Sequence, residues 1–186
     1  MHIQTTAQNT PEQGSPLESF SGCHAGILKN IEQLAVLPSL LGIPAKAAEL
    51  KASAASLHRF YHDVIIKHHQ EEEEELFTAV ESALHADPVE LVEAKEQIEQ
   101  LIREHRHIES LWKLIEPDLK LLAKGKLVWL NGELVSAIAS YSVAHAHFEE
   151  TIFLPLAARL LDTNGMAALG MSLHIRHHPV FIPAYI

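Results

Sequence analysis

The chain is poor in cysteine. Cys23 stands alone among 186 residues, which excludes an internal disulfide and makes a reducing cytoplasm the expected compartment. It is also poor in positive charge. Lys and Arg number 14 against 24 Asp and Glu, a formal net charge of −10. Nucleic acid and anionic membrane both need clustered basic residues, so neither is an expected partner. No stretch approaches the roughly 18 consecutive apolar residues of a membrane span. The N-terminal MHIQTTAQNTPEQGSP lacks the basic start and apolar stretch of a signal peptide. Strand signals are missing too: β-branched residues are scattered at helical spacing, and Asn-Gly pairs lack alternating flanks. What is left is a globular composition, 47% apolar and 20% charged, of a length that suits one domain.

What the chain does have is helical periodicity. Residues 1–15 are polar and contain Pro11 and Gly14, so they read as a flexible arm. After Pro16 the stripe Leu17, Phe20, Ile27, Ile31, Leu34 marks a first helix, which LPSLLGIP at 37–44 should stop. A second helix is expected from about 45 to 84. Asp87 then caps a third and Pro88 opens it, and that helix runs to a Gly125 cap, with Pro117 as a disturbance. A fourth is expected over about 127–161, with Gly132 and Pro155 as weak points. A shorter helix follows Thr163-Asn164-Gly165 to about His174, and the remainder reads as irregular. The expected fold is all-α: an antiparallel up-and-down four-helix bundle over 16–162, with residues 163–186 as a C-terminal helical extension packed on it.

The other abundant feature is histidine: 14 of them, as many as Lys and Arg together. Four interrupt the apolar stripes. The first stripe carries His24. The second reads Tyr61, Ile65, His68, Glu72, Leu76; the third, Ile102, His105, Glu109, Trp112; the fourth, Ile138, Tyr141, His145, Glu149, Ile152. In three of them a glutamate follows one turn later, on the same face. Counting from the turns puts His68, His105 and His145 in one layer. His24 fits less well, by roughly 15 Å of helix rise. Carboxylates aimed into an apolar core need positive charge. A mixed imidazole–carboxylate set of about this size exceeds the needs of one tetrahedral zinc and suits a dinuclear centre, with iron the expected metal and zinc or manganese as substitutes.

Register is open within the run HHQEEEEELF. His69 and Glu73 share the spacing of His68 and Glu72 on a slightly rotated face. The first pair is preferred because Glu72 precedes Leu76 as Glu149 precedes Phe153, four residues on. Glu71, Glu74 and Glu75 are expected to face water, as are His107 and His147. Tyr141 reads as a core residue or a hydrogen-bond donor at the site, Cys23 as a buried thiol, and His58 and His62 as structural. His174, His177 and His178 read as incidental.

The stretches CHAGIL (23–28), HHQEEEEELF (68–77), EHRHIESLW (104–112) and HAHFEETIFLP (145–155) together resemble the hemerythrin-like family of His-His-Glu cation-binding domains, over roughly residues 17–162. The resemblance implies a four-helix bundle around a non-haem di-iron site, which in hemerythrin binds dioxygen reversibly. It implies His24, His68, His105 and His145 as terminal ligands and Glu72 and Glu149 as bridging carboxylates. Glu109 stands where hemerythrin has another histidine. The expected function is therefore binding or sensing of a small diatomic such as O2 or NO by a non-enzymatic protein, and a homodimer is compatible with it. The alternative is a di-iron enzyme acting on peroxide or nitric oxide, or repairing iron–sulfur damage.

Overall fold

A computed structural model describes residues 15–83 and 86–177. Residues 1–14 of the arm expected over 1–15, His178 and the side chain of His177 lie outside the described residues. Five helices make up the described fold, and no strand occurs among them. Helix α1 is Pro16–Leu40. Helix α2 spans 47–81 after a 3-10 turn at Pro44–Lys46. Helix α3 is Pro88–Ala123, α4 spans 132–160, and α5 is Thr163–His177. No described helix is long and apolar enough to cross a membrane.

The caps follow local chemistry. Glu18 accepts the Ser15 backbone N–H at 2.8 Å. Asp87 Oδ1 accepts from the N–H groups of Val89 and Glu90, and Pro88 takes the first helical position, where no N–H is needed. Gly125 ends α3 with φ +72°: its N–H bonds Leu122 O at 2.8 Å and that of Lys126 bonds Leu121 O at 3.0 Å, the paired bonds of a Schellman end. Helix α4 begins at Gly132 rather than near 127, because Asn131 Oδ1 accepts from Glu133 and Leu134 and fixes the start there. Residues 126–131 are a connection instead of a first helical turn.

Three widened π-helical turns interrupt otherwise α-helical segments: Tyr61–Ile65 and Glu72–Leu76 in α2, and Glu149–Phe153 in α4. In the last two, Glu72 O and Glu149 O receive the N–H five residues on, from Phe77 and Leu154. Such bulges add a residue to one turn and occur often at functional sites. The bulge in α4 also accommodates Pro155, which has no N–H to continue the regular ladder.

Helix α1 packs on α2 and α4, and α3 packs on α2 and α4, closing a ring of four around the core. Helix α5 lies on α1 and on the second half of α2, burying Leu169 and Leu173. The core is not continuous. One apolar cluster holds Phe20, Leu76, Phe77, Leu101 and Phe153. The other holds Ile31, Leu57, Ile65, Trp112 and Ile138. Between them lies a layer of buried histidine and glutamate. The height mismatch of His24 is partly absorbed because α1 continues through Pro38 to Leu40. It is reduced further because α2 begins at 47 rather than 45.

Candidate metal centre

All four helices of the ring supply the polar layer. His24 comes from α1; His68, His69 and Glu72 from α2; His105 from α3; His145 and Glu149 from α4. All seven are buried. They fall into two groups with mutually close donor atoms: His24, His68, Glu72 and Glu149 on one side, and His69, His105 and His145 on the other. The glutamates span the two. Glu72 Oε1 lies 2.8 Å from His68 Nε2 and its Oε2 lies 3.2 Å from His105 Nε2. Glu149 Oε2 lies 3.1 Å from His24 Nε2 and 3.7 Å from His145 Nε2.

These distances are short, yet none is an aligned hydrogen bond. Both oxygens of Glu72 and of Glu149 lack a hydrogen-bond partner, as do the Nε2 atoms of His24, His68, His105 and His145. Buried polar atoms are rarely left so, and here eight occur in one layer. Two ligands each about 2.0–2.2 Å from a common ion sit about 3 Å from each other. The lone pairs converge on space that cations would fill, so the residues fit metal ions.

The outward faces of four of the five rings meet carboxylates. Glu150 meets His24 Nδ1 at 2.7 Å, Glu73 meets His105 Nδ1 at 2.8 Å, Glu104 meets His145 Nδ1 at 2.9 Å and Glu109 meets His69 Nδ1 at 3.2 Å. An imidazole whose Nδ1–H donates to a carboxylate keeps Nε2 free as a basic ligand. Arg106 holds two of the outer carboxylates, pairing with Glu73 and, at 3.0 Å, with Glu109.

Electrostatics match this arrangement. Burial pulls the His68 imidazole down to about 3 and lowers His69 and His105 as well, keeping these rings neutral. Burial also opposes protonation of His24, but Glu149 and Glu150 outweigh it and raise its pKa. Burial, then the charge of Glu149, pushes Glu72 well above the carboxylate range. Burial opposes ionisation of Glu149 too, but His24, His145 and His68 hold its carboxyl low. Without metal, the pair accommodates about one negative charge rather than two.

Glu109, expected among the ligands, lies apart from both groups and stands behind His69, its side chain 16% exposed. Adjacent residues of a helix point about 100° apart, so His68 turns to α1, its ring 4.9 Å from that of His24, while His69 turns to α3 and stacks on His105 at 4.0 Å. An imidazole thus enters the layer from the facing helix at His69, and the Glu109 carboxylate stands behind that ring. The choice between two pairs dissolves: His68, Glu72 and His69 all face the layer, and Glu73 backs His105. The doubled histidine in the HHQ stretch was the available signal.

Other expectations change with the face of α4. Ser142, not Tyr141, is buried; Tyr141 is 49% exposed against His107, and Ile152 is exposed. Cys23 is exposed rather than buried. Glu75 is half-buried and accepts from Ser172 of α5. Glu74, His107 and His147 are exposed as expected.

The sequence model of the family described as Hemerythrin HHE cation binding domain matches residues 15–157. The chain belongs to this family. No curated protein and no solved structure matches it. The matched span covers every residue of the two groups. As a member of the hemerythrin cation-binding domains, the protein carries buried His/Glu clusters of the composition such a domain uses to hold metal.

Proposed function

We propose that the protein is a non-haem di-iron protein that binds or senses dioxygen or a related diatomic such as NO, within an antiparallel four-helix bundle. The observation that carries this reading is the set of eight partnerless buried donor atoms, split into two groups and spanned by Glu72 and Glu149. Two groups argue for two ions, and mixed imidazole and carboxylate donors suit iron. The antiparallel reading is supported by the contacts between α2 and α3, which run 58 to 116, 69 to 109 and 73 to 105.

In this reading His24, His68, His69, His105 and His145 would hold the ions together with Glu72 and Glu149, whose oxygens face both groups. Iron, when bound, supplies reversible redox binding of a small diatomic. The chain's own work is to position and to exclude. Glu73, Glu104, Glu109 and Glu150 fix the rings from behind. Phe20, Phe77 and Phe153 wall the layer on one side and Ile65 and Ile138 on the other, which keeps water away.

The test is anaerobic purification, metal counting, reduction, and exposure to oxygen while the visible spectrum is recorded. About two irons per chain and a reversible spectral change are expected. One zinc per chain and a featureless spectrum would refute the reading. Irreversible bleaching with peroxide consumption would favour the enzyme.

A further inference from the structure

One further constellation of ligand-type side chains lies outside the buried layer. His58 and His62 stand one turn apart on α2, with ring centroids 4.9 Å apart. Both direct Nε2 at the same atom, Glu116 Oε1 of α3, at 3.1 and 2.8 Å. All three donor atoms lie within 4.8 Å of one another. The arrangement repeats the His69–Glu109 contact, seven residues back along α2 and seven forward along α3, which is a shift of about 10 Å. At the inner position the imidazole is buried. Here the side chains of His62 and Glu116 are 46% and 18% exposed, so an ion and its waters have access.

Lys120 Nζ also lies 2.8 Å from Glu116 Oε1. Three nitrogens therefore crowd one carboxylate oxygen, which offers two lone pairs. Lys120, with help from His62 and His58, holds the Glu116 carboxyl down to about 2. The carboxylate is thus a standing anion, already drawing one mobile cation to the spot where two imidazoles converge.

We propose that His58, His62 and Glu116 form a zinc-type divalent-cation site on the surface of the α2–α3 pair, separate from the buried centre. Two imidazole nitrogens and one carboxylate oxygen are a zinc donor set, and the exposed side leaves the fourth tetrahedral position to water. The nitrogen–oxygen separations match two ligands about 2.0–2.2 Å from a shared ion. The i, i+4 spacing on one helix preorganises both rings. Lys120 is the competitor: it occupies Oε1 without the ion and must leave when zinc arrives.

The test is a zinc(II) titration of the full chain by equilibrium dialysis, comparing it with the His58→Ala/His62→Ala double variant and with Lys120→Ala. The unaltered chain should bind about one zinc more than the double variant, and its His58 and His62 ring resonances should shift with that equivalent. Lys120→Ala keeps every ligand and should bind the same equivalent several-fold more tightly. Equal zinc binding by the chain and the double variant would overturn the site, as would weakened binding in Lys120→Ala. If the buried layer took no metal, the one-zinc difference would persist on a smaller total, so the two readings fail separately.

Discussion

The two halves of the buried layer satisfy the same electrostatic demand in opposite ways. On the α1 side, His24 and His68 face both buried glutamates, and only His24 has an outer carboxylate among the contacts above. On the α3 side no glutamate belongs to the group, yet each of its three imidazoles is backed by a carboxylate: Glu109 behind His69, Glu73 behind His105, Glu104 behind His145. Both sides meet the buried glutamates, since Glu72 Oε2 lies 3.2 Å from His105 Nε2, but the α3 side draws further negative charge through its rings. The comparison teaches that counting inward carboxylates alone understates the negative charge gathered on the α3 side. The outer glutamates orient the buried rings although they are partly exposed.

Breaking the span between the halves should have the largest effect. Glu72→Ala removes the residue whose two oxygens face the two sides, and metal analysis should find both ions lost; a full metal complement would place the bridge elsewhere. His69→Ala should be more selective, losing about half of the metal and leaving the α1 side loaded. If His69→Ala stayed fully loaded while Glu109→Ala lost metal, Glu109 would return as the ligand.

Outer carboxylates come next. Glu73→Gln and Glu109→Gln should weaken the α3-side ion by about 10- to 100-fold in chelator competition, and Glu150→Gln should act on the other ion. Equal effects of all three on both ions would erase the distinction between the halves.

The smallest effect concerns pH in the metal-free chain. Folding holds the His68 imidazole down to about 3, so the unfolded chain binds more protons between that value and the ordinary 6.5, and stability falls as pH drops through this window. Glu72 is held up, so its share is present below the ordinary 4.5 and is lost as pH rises through its raised value. Denaturant midpoints of the metal-free chain should therefore peak over a narrow pH range. Metal loading should extend the high-pH side, because the ions make the ionised Glu72 favourable. A flat profile before loading would contradict this.

Much of this was legible in the chain itself. The all-helical character, the Asp87–Pro88 start, the Gly125 end, and the placing of His24, His68, Glu72, His105, His145 and Glu149 on inward stripes all follow from periodicity and capping chemistry. Those signals are local, and they depend on hydrogen bonds and side chains within a few residues. The π turns were not legible, and each shifts the inward face by about one residue. On α4 the bulge at Glu149–Phe153 turns Phe153 inward in place of Ile152, whereas Ser142 is buried in place of Tyr141 within the regular helix before it, where positions three and four after Ile138 both lie near the inward face.

The sequence by itself determined that imidazoles and carboxylates share the inner faces of these helices, because a 3.6-residue period leaves them nowhere else to point. Only the tertiary structure decided their allegiance. Neighbouring positions such as 68 and 69, or 72 and 73, diverge by about 100° and meet different helices. Which helix stands opposite is a property of the packed ring. Hence HHQEEEEELF divides four ways: His68 toward α1, His69 toward α3, Glu72 between them, and Glu73 behind His105.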